Sequence, residues 1–226
     1  MPRVLVFDVN ETLLDLRALG EPFTRVFGDA NLLGEWFARL LHASLVATVT
    51  DAYEDFGLLG RRALEAVASR HGLELSDDDR DAILGTMRRL PPHAEVAETL
   101  GRLREAGFPL ATLTNSSEQM VRAQLEHAGL TEFFGHTLSV EEVRRYKPAP
   151  EPYLHAAARL GVAPPDLRLV AAHDWDVWGA LRAGCAAAYV ARGDAPFVVG
   201  EPPDVLGPDL ATVAEIIMDL DEPAPG

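Results

Sequence analysis

Val4-Leu5-Val6-Phe7-Asp8-Val9-Asn10-Glu11-Thr12-Leu13 is an apolar strand that ends in one aspartate, with a threonine four residues further on. Open parallel sheets bind ligands outside the carboxyl ends of their strands, so this segment presents a carboxylate where a substrate would sit. A carboxylate so placed can form a covalent ester, which splits a difficult displacement into two easier steps. Asp8 is the candidate nucleophile, although the segment alone fits equally well an Asp that merely caps a turn.

Three further segments repeat the pattern. Leu110-Ala111-Thr112-Leu113-Thr114-Asn115-Ser116 is an apolar run ending in hydroxyl and amide groups, ahead of a helical stretch that includes Val121 to Ala128. Tyr146-Lys147-Pro148-Ala149-Pro150 places a lysine in a stretch that its prolines keep out of a helix interior. Leu167-Arg168-Leu169-Val170-Ala171-Ala172-His173-Asp174-Trp175-Asp176 is an apolar strand ending in a histidine and two aspartates. Strand-like runs near residues 3–7, 109–114, 167–172 and 187–191 alternate with helical stretches such as 94–106 and 152–160. That alternation predicts an α/β fold with a parallel sheet. Gly107, Gly129, Gly161 and Gly184 stand where left-handed caps would close helices. Residues 209–220, with Leu210, Val213, Ile216 and Ile217 at helical spacing, predict a last amphipathic helix, followed by a frayed tail from 221 to 226.

Residues 15–90 break the alternation. Apolar positions such as Trp36, Phe37, Leu40 and Leu41 follow helical spacing with no clear strand, so an all-helical insertion is the economical reading. Pro91-Pro92 marks the return to the sheet. The predicted division is therefore a core of residues 1–14 and 91–226 and a helical unit of residues 15–90.

A chain of 226 residues with 48% apolar content can bury a substantial core. Its net charge of -15 argues against a nucleic-acid or anionic-membrane surface, which would need concentrated Lys and Arg. The single cysteine, Cys185, cannot form an internal disulfide and fits a reducing compartment. No leader is evident ahead of the first strand, and no apolar stretch reads as long enough to cross a bilayer. A soluble cytoplasmic protein is expected.

The ordered set of Asp, Thr-Asn, Lys and His-Asp-Trp-Asp resembles the haloacid dehalogenase superfamily, and within it the type II L-2-haloacid dehalogenases. The resemblance implies a Rossmann-like core with a helical cap inserted after the first strand. The phosphatase branch carries a second Asp two residues after the nucleophile as general acid; here that position is Asn10, and a neutral amide cannot serve. Phosphatases also place an acid four residues before the last acid of the fourth motif to hold Mg²⁺; here that position is Ala172, whose methyl cannot ligate it. Both losses fall on the phosphoryl-transfer apparatus, which implies chemistry on carbon with no metal and no cofactor.

The resemblance assigns Asp8 to attack the halogen-bearing carbon, expelling halide and leaving an ester that water hydrolyses. Lys147 is the matching lysine, and an ammonium near Asp8 would keep it ionised. Thr12 would hold the nucleophile's rotamer, or simply cap a turn with the same hydrogen bond. Thr114 and Asn115 match a Ser-Asn pair that contacts the substrate carboxylate and the departing halide. Tyr153 matches a tyrosine that orients the lysine loop. Trp175 and Asp176 match the fourth motif, where Ala171 and His173 replace Ser and Asn. A neutral His173, with Asp176, would deprotonate the hydrolytic water. Asp174 reads as a solvated carboxylate or a cap.

In the resembled cap an arginine directly after a tryptophan binds halide; here Phe37 follows Trp36, and the nearest arginine, Arg39, lies far round the helix. Phe56, with Val9 and Asn10 beside the nucleophile, is expected in the substrate pocket. Gly57 and Asn10 stand where the dehalogenases carry aromatic side chains, which suggests a preference for small haloacids such as chloroacetate or fluoroacetate. Dimerisation is common in the branch. The alternatives are a Mg²⁺-dependent phosphatase of small organic phosphates and a non-catalytic binding protein on the same scaffold.

Overall fold

The computed structural model describes residues 2–194 and 196–221; the expected frayed tail beyond Asp221 lies outside them. Among the described residues, six strands form one parallel sheet: β1 (Val4–Phe7), β2 (Leu110–Thr114), β3 (His136–Ser139), β4 (Leu167–Ala171), β5 (Ala186–Val190) and β6 (Val205–Gly207), in the order β3-β2-β1-β4-β5-β6. β1 lies at the centre, pairing Leu5 with Leu110 on one side and Val6 with Leu169 on the other. The strand order reverses at β1, so the space beyond Asp8 is the crevice where such sheets bind ligands.

Every residue of β1, β2 and β4 is buried, as expected of parallel strands covered on both faces. Alternate residues serve the two faces. Leu5, Phe7, Leu110 and Val170 join a cluster with α5 (Val96–Glu105), α6 (Glu118–His127) and α9 (Leu210–Leu220). Val4, Val6, Ala111 and Leu169 join a second cluster with α7 (Pro150–Leu160) and α8 (Asp174–Arg182). Each fully buried aliphatic side chain contributes about 1.5–3 kcal/mol.

The edge strands β3 and β6 were not among the strands expected from sequence. They are short, and β3 begins on exposed His136, so neither carries a continuous apolar run. The chain leaves β2 through Ser117, whose hydroxyl accepts from the Met120 amide and starts α6. Gly107, Gly129, Gly161 and Gly184 all have positive φ.

Between β1 and β2 run α1 (Gly20–Phe27), α2 (Leu32–Val49), α3 (Phe56–Arg70) and α4 (Asp77–Met87), with no strand among them. Asp55 caps α3 by accepting from the Leu58 amide, and Ser76 with Asp79 forms a capping box on α4. Buried Trp36 donates its indole N–H to Gly60 O at 2.9 Å, locking α2 against α3. α2 corrects the expectation that no stretch reaches bilayer length: its 18 residues are long and apolar enough to cross a membrane by length and composition. In this fold its Trp36, Phe37, Leu40, Ser44, Ala47 and Thr48 are buried.

These helices share one apolar cluster with the sheet, in which Phe23, Trp36 and Phe56 join Phe7 and Tyr146. They also hold the segment carrying Lys147. The Tyr146 amide donates to Thr48 Oγ1 at 3.0 Å, and its ring packs on Tyr53 and Phe56 with centroids 5.2 and 5.7 Å away.

Candidate active site

Asp8 leaves the end of β1 buried, and each carboxylate oxygen has its own partner. Oδ1 accepts from Lys147 Nζ at 2.8 Å and Oδ2 from Thr12 Oγ1 at 2.7 Å. Thr12 is itself fixed, because its hydroxyl oxygen accepts from the Ala172 amide at 2.9 Å, joining the loop after β1 to the loop after β4. One residue earlier, Glu11 adopts a left-handed φ of 64°, a conformation costly for a side-chain-bearing residue and a mark of a tightly determined turn.

Lys147 is a hub. Its fully buried ammonium donates to Asp8 Oδ1, to Asp176 Oδ2 at 2.5 Å and to Leu113 O at 3.0 Å, which uses all three of its protons. Its backbone amide donates to Asn115 Oδ1 at 3.0 Å, so the β2 loop anchors the lysine loop. Tyr153 on α7 donates to Asp176 Oδ1 at 2.6 Å, satisfying the other oxygen of that buried carboxylate.

Burial alone would raise the Asp8 pKa, but Lys147 and then His173 outweigh it, so the carboxyl is held far below its usual range and stays ionised. Burial opposes the Lys147 charge, and Asp176 with Asp8 restores it, raising the ammonium above its usual value. For Asp176 burial wins over Lys147, and the carboxyl is raised. An ionised carboxylate with one oxygen on an ammonium and the other on a hydroxyl is oriented for attack on an electrophilic carbon.

His173 closes the site. Nε2 lies 2.7 Å from Glu11 Oε2, and Nδ1 lies 3.5 Å from Asp8 Oδ2 with no hydrogen bond of its own. Its ring packs near Trp175 and Phe37, with centroids 5.0 and 6.1 Å away. Burial by itself lowers the imidazole pKa, but Asp8 and Glu11 together raise it from 6.5 to about 10. The expected neutral base paired with Asp176 is thus replaced by an imidazolium between Asp8 and Glu11, because those two carboxylates face the ring while Asp176 is taken by Lys147 and Tyr153.

A family profile described as haloacid dehalogenase-like hydrolase matches residues 2–184. The (S)-2-haloacid dehalogenase 1 of Pseudomonas sp. (strain CBS-3) is 33% identical over 180 residues, covering 79% of each chain. The (S)-2-haloacid dehalogenase 4A of Burkholderia cepacia is 31% identical over 204 residues, covering 89% of this chain and 86% of that one. The structure of L-2-haloacid dehalogenase from Xanthobacter autotrophicus with chloropropionic acid covalently bound superposes with a TM-score of 0.89 at 26% identity, over 97% of this chain and all of that one (100%). The chain belongs to the haloacid dehalogenase-like hydrolases. Its place among them is the L-2-haloacid dehalogenase branch.

The phosphatases of this superfamily hold Mg²⁺ between the first and fourth motifs, and the residues here do not fit that ion. Lys147 Nζ bonds Asp8 Oδ1 and Asp176 Oδ2, Ala172 offers a methyl, and both ends of the Asn10 amide are engaged elsewhere. Among the described residues no group of three or more His, Cys, Asp or Glu is placed to hold a metal.

The expected site residues do not all reach Asp8. Asp8, Thr12, Lys147, Tyr153, His173, Trp175 and Asp176 are brought together as described. Thr114 and Asn115 are buried beside them, Thr114 Oγ1 accepting from the Ser116 amide at 3.1 Å. Asn10 is tied by its Nδ2 to Ser116 Oγ at 3.3 Å and by its Oδ1 to Gln124 Nε2 at 3.0 Å, which makes it a brace between loops. Val9 is fully buried in the apolar cluster, and Phe56 packs on Tyr146 and lines a cavity of about 830 Å³ with Trp36, Leu40 and Ser116.

Arg39 is the correction among them. Its Nε pairs with Glu35 at 3.0 Å one turn back on α2, on a face it shares with His42 and Val46, so the structure does not bring it to Asp8. The α2 side chain that reaches the site is Phe37, two residues away and therefore on another side of the helix. Sequence reasoning also missed Glu11. The available signal was a second acid in the nucleophile loop together with the unusual histidine of the fourth motif.

Proposed function

We propose that the protein is a hydrolase that converts short 2-haloalkanoates to 2-hydroxy acids through an ester on Asp8. The observation that carries this reading is the placement of an ionised Asp8 between Lys147 and Thr12 at a site whose residues do not suit Mg²⁺. The covalent chloropropionate adduct of the Xanthobacter autotrophicus structure supports the same two-step chemistry. Asp8 displaces halide in line, and Lys147 offsets the charge redistributed at the carboxylate. Water then cleaves the ester and regenerates Asp8. The helices between residues 20 and 87 act as a cap, and Phe37 supplies an apolar wall over His173.

The deciding experiment reads halide and phosphate in parallel from a panel of 2-haloacids and phosphomonoesters, with EDTA or with added Mg²⁺. Halide release that survives EDTA and disappears in Asp8→Asn is the expected result. Phosphate release that requires Mg²⁺, without halide, would refute the reading. A chain-length series tests the proposed preference for small haloacids, which fails if longer acids react faster.

A further inference from the structure

We propose that Arg192, in the loop after β5, is a positioning residue for the nucleophile: its guanidinium grips the Thr12 carbonyl and so fixes the hydroxyl that orients Asp8. The inference rests on the dehalogenase reading and adds to the site a residue outside its four motifs. Two N–H groups of the guanidinium converge on that one carbonyl oxygen, Nη2 at 2.6 Å and Nε at 3.1 Å. Nη1 donates to Glu95 Oε1 at 2.9 Å at the head of α5, which holds the guanidinium in turn. Thr12 is fully buried, and its hydroxyl donates to Asp8 Oδ2 at 2.7 Å. The hydrogen bonds of Arg192 go to Thr12 and Glu95 and none to Asp8, so it acts on the nucleophile through Thr12.

The loop needs such holding. Glu11, one residue before Thr12, has its φ at 64°, and a side-chain-bearing residue keeps that conformation only where its surroundings over-determine it. Three successive carbonyls from that point each have a partner outside the loop. Glu11 O accepts from His93 Nε2 at 3.1 Å, Thr12 O from Arg192, and Leu13 O from the His93 amide at 3.0 Å. His93 belongs to the chain that returns from the helical insertion, where the Asp15 amide donates to Pro91 O at 2.8 Å. Arg192 comes from the other side, beyond β5, and its bond to Glu95 ties it to the same returning chain. The nucleophile loop is thereby fixed between β5 and the chain that leads back from the cap.

An arginine suits this place because two charge-assisted bonds from a rigid fork set the direction of the carbonyl as well as its distance, which one donor would not do. Burial lowers the Arg192 pKa although Glu95 opposes it, so the charge is kept here against a desolvation cost. Without the fork the Thr12 carbonyl is a buried acceptor lacking a donor. The peptide then turns toward another partner and carries the Thr12 side chain off Asp8. Displacement in line needs the Asp8 oxygen aligned with the carbon and the departing halide, and a misplacement of about 1 Å can cost about 10²-fold in rate. Arg192 therefore bears on the rate of ester formation and not on haloacid affinity.

The test is a double-mutant cycle on single turnovers of 2-chloropropionate by the full chain, reading chloride and, by intact-protein mass, the ester on Asp8. Arg192→Met is expected to slow ester formation at saturating haloacid by about 10–100-fold, with the half-saturating concentration within about threefold of wild type. Thr12→Val should also be slow, and adding Arg192→Met to it should cost less than about threefold more, because both changes remove one chain of contacts. Arg192→Lys keeps the charge beside Glu95 without the fork; its rate should stand between wild type and Arg192→Met, and it repeats the cycle should Arg192→Met not fold. Ester formation at the wild-type rate in Arg192→Met, or full additivity with Thr12→Val, would overturn the proposal and leave the dehalogenase reading intact. A half-saturating concentration raised about tenfold or more at an unchanged saturated rate would make Arg192 a haloacid-binding group and also overturn it. Neither chloride nor adduct from the wild type would overturn both.

Discussion

Replacing Lys147 with methionine keeps most of the buried stem and removes only the ammonium that two carboxylates share. In the wild type that ammonium is wholly buried, with Asp176 at 0% and Asp8 at 8% side-chain exposure. Breaking a buried ion pair by removing one partner costs about 3–5 kcal/mol, because a charge is left without compensation. Here Asp176 is left without a cation while Asp8 keeps the His173 imidazolium, so the loss at pH 7.5 is expected within that range. The sign with pH is fixed. Without Lys147 the Asp176 carboxyl, already raised by burial, is raised further, and the variant recovers stability as pH falls and Asp176 protonates, while Asp8 keeps His173 beside it. Each pH unit is worth about 1.4 kcal/mol per carboxyl, so going from pH 7.5 to 5.5 returns about 2.7 kcal/mol for one protonating group. The readout is the difference in unfolding free energy between variant and wild type from denaturant titrations at the two pH values. Any slope due to His173 is common to both proteins and cancels to first order. A difference below about 1 kcal/mol at pH 7.5, or one that does not shrink on acidification, would refute the claim that Lys147 neutralises this pair.

The imidazole of His173 has its pKa raised from 6.5 to about 10, so its stabilisation is complete below pH 6.5 and is lost as pH rises toward about 10. Denaturant midpoints should therefore fall across that window in the wild type, and the fall should be smaller in His173→Asn. Gly179→Ala should unsettle the site from behind, because an added Cβ would lie 2.5 Å from Pro148 Cβ and 2.6 Å from the Tyr153 hydroxyl. Overpacking of this kind costs about 1–3 kcal/mol, and displacement of Pro148 moves the adjoining Lys147, so thermal stability and halide release should both drop. Arg39→Ala should leave halide release within about twofold and stability within about 1 kcal/mol, since its partner Glu35 is a surface group. A large loss of activity there would restore the halide role that the geometry removes.

Local pattern made the strand of Asp8, the runs that became β2, β4 and β5, and the strandless stretch from residue 15 to 90 legible in the sequence. Burial on both faces leaves parallel strands with continuous apolar stretches, whereas short edge strands such as β3 and β6 carry no comparable signal. The order Asp8, Thr114-Asn115, Lys147 and Asp176 was readable because chemistry at the sheet's carboxyl end needs those groups after successive strands. Three-dimensional placement decided the rest. Helix rotation turned Arg39 toward Glu35 and Phe37 toward the site, a difference of two residues that sequence proximity does not resolve. The partnership of Glu11 with His173 joins residues 162 positions apart and depends on the left-handed turn at Glu11. The protonation state of His173 was beyond the sequence for the same reason, because it depends on burial and on which carboxylates the fold sets around the ring.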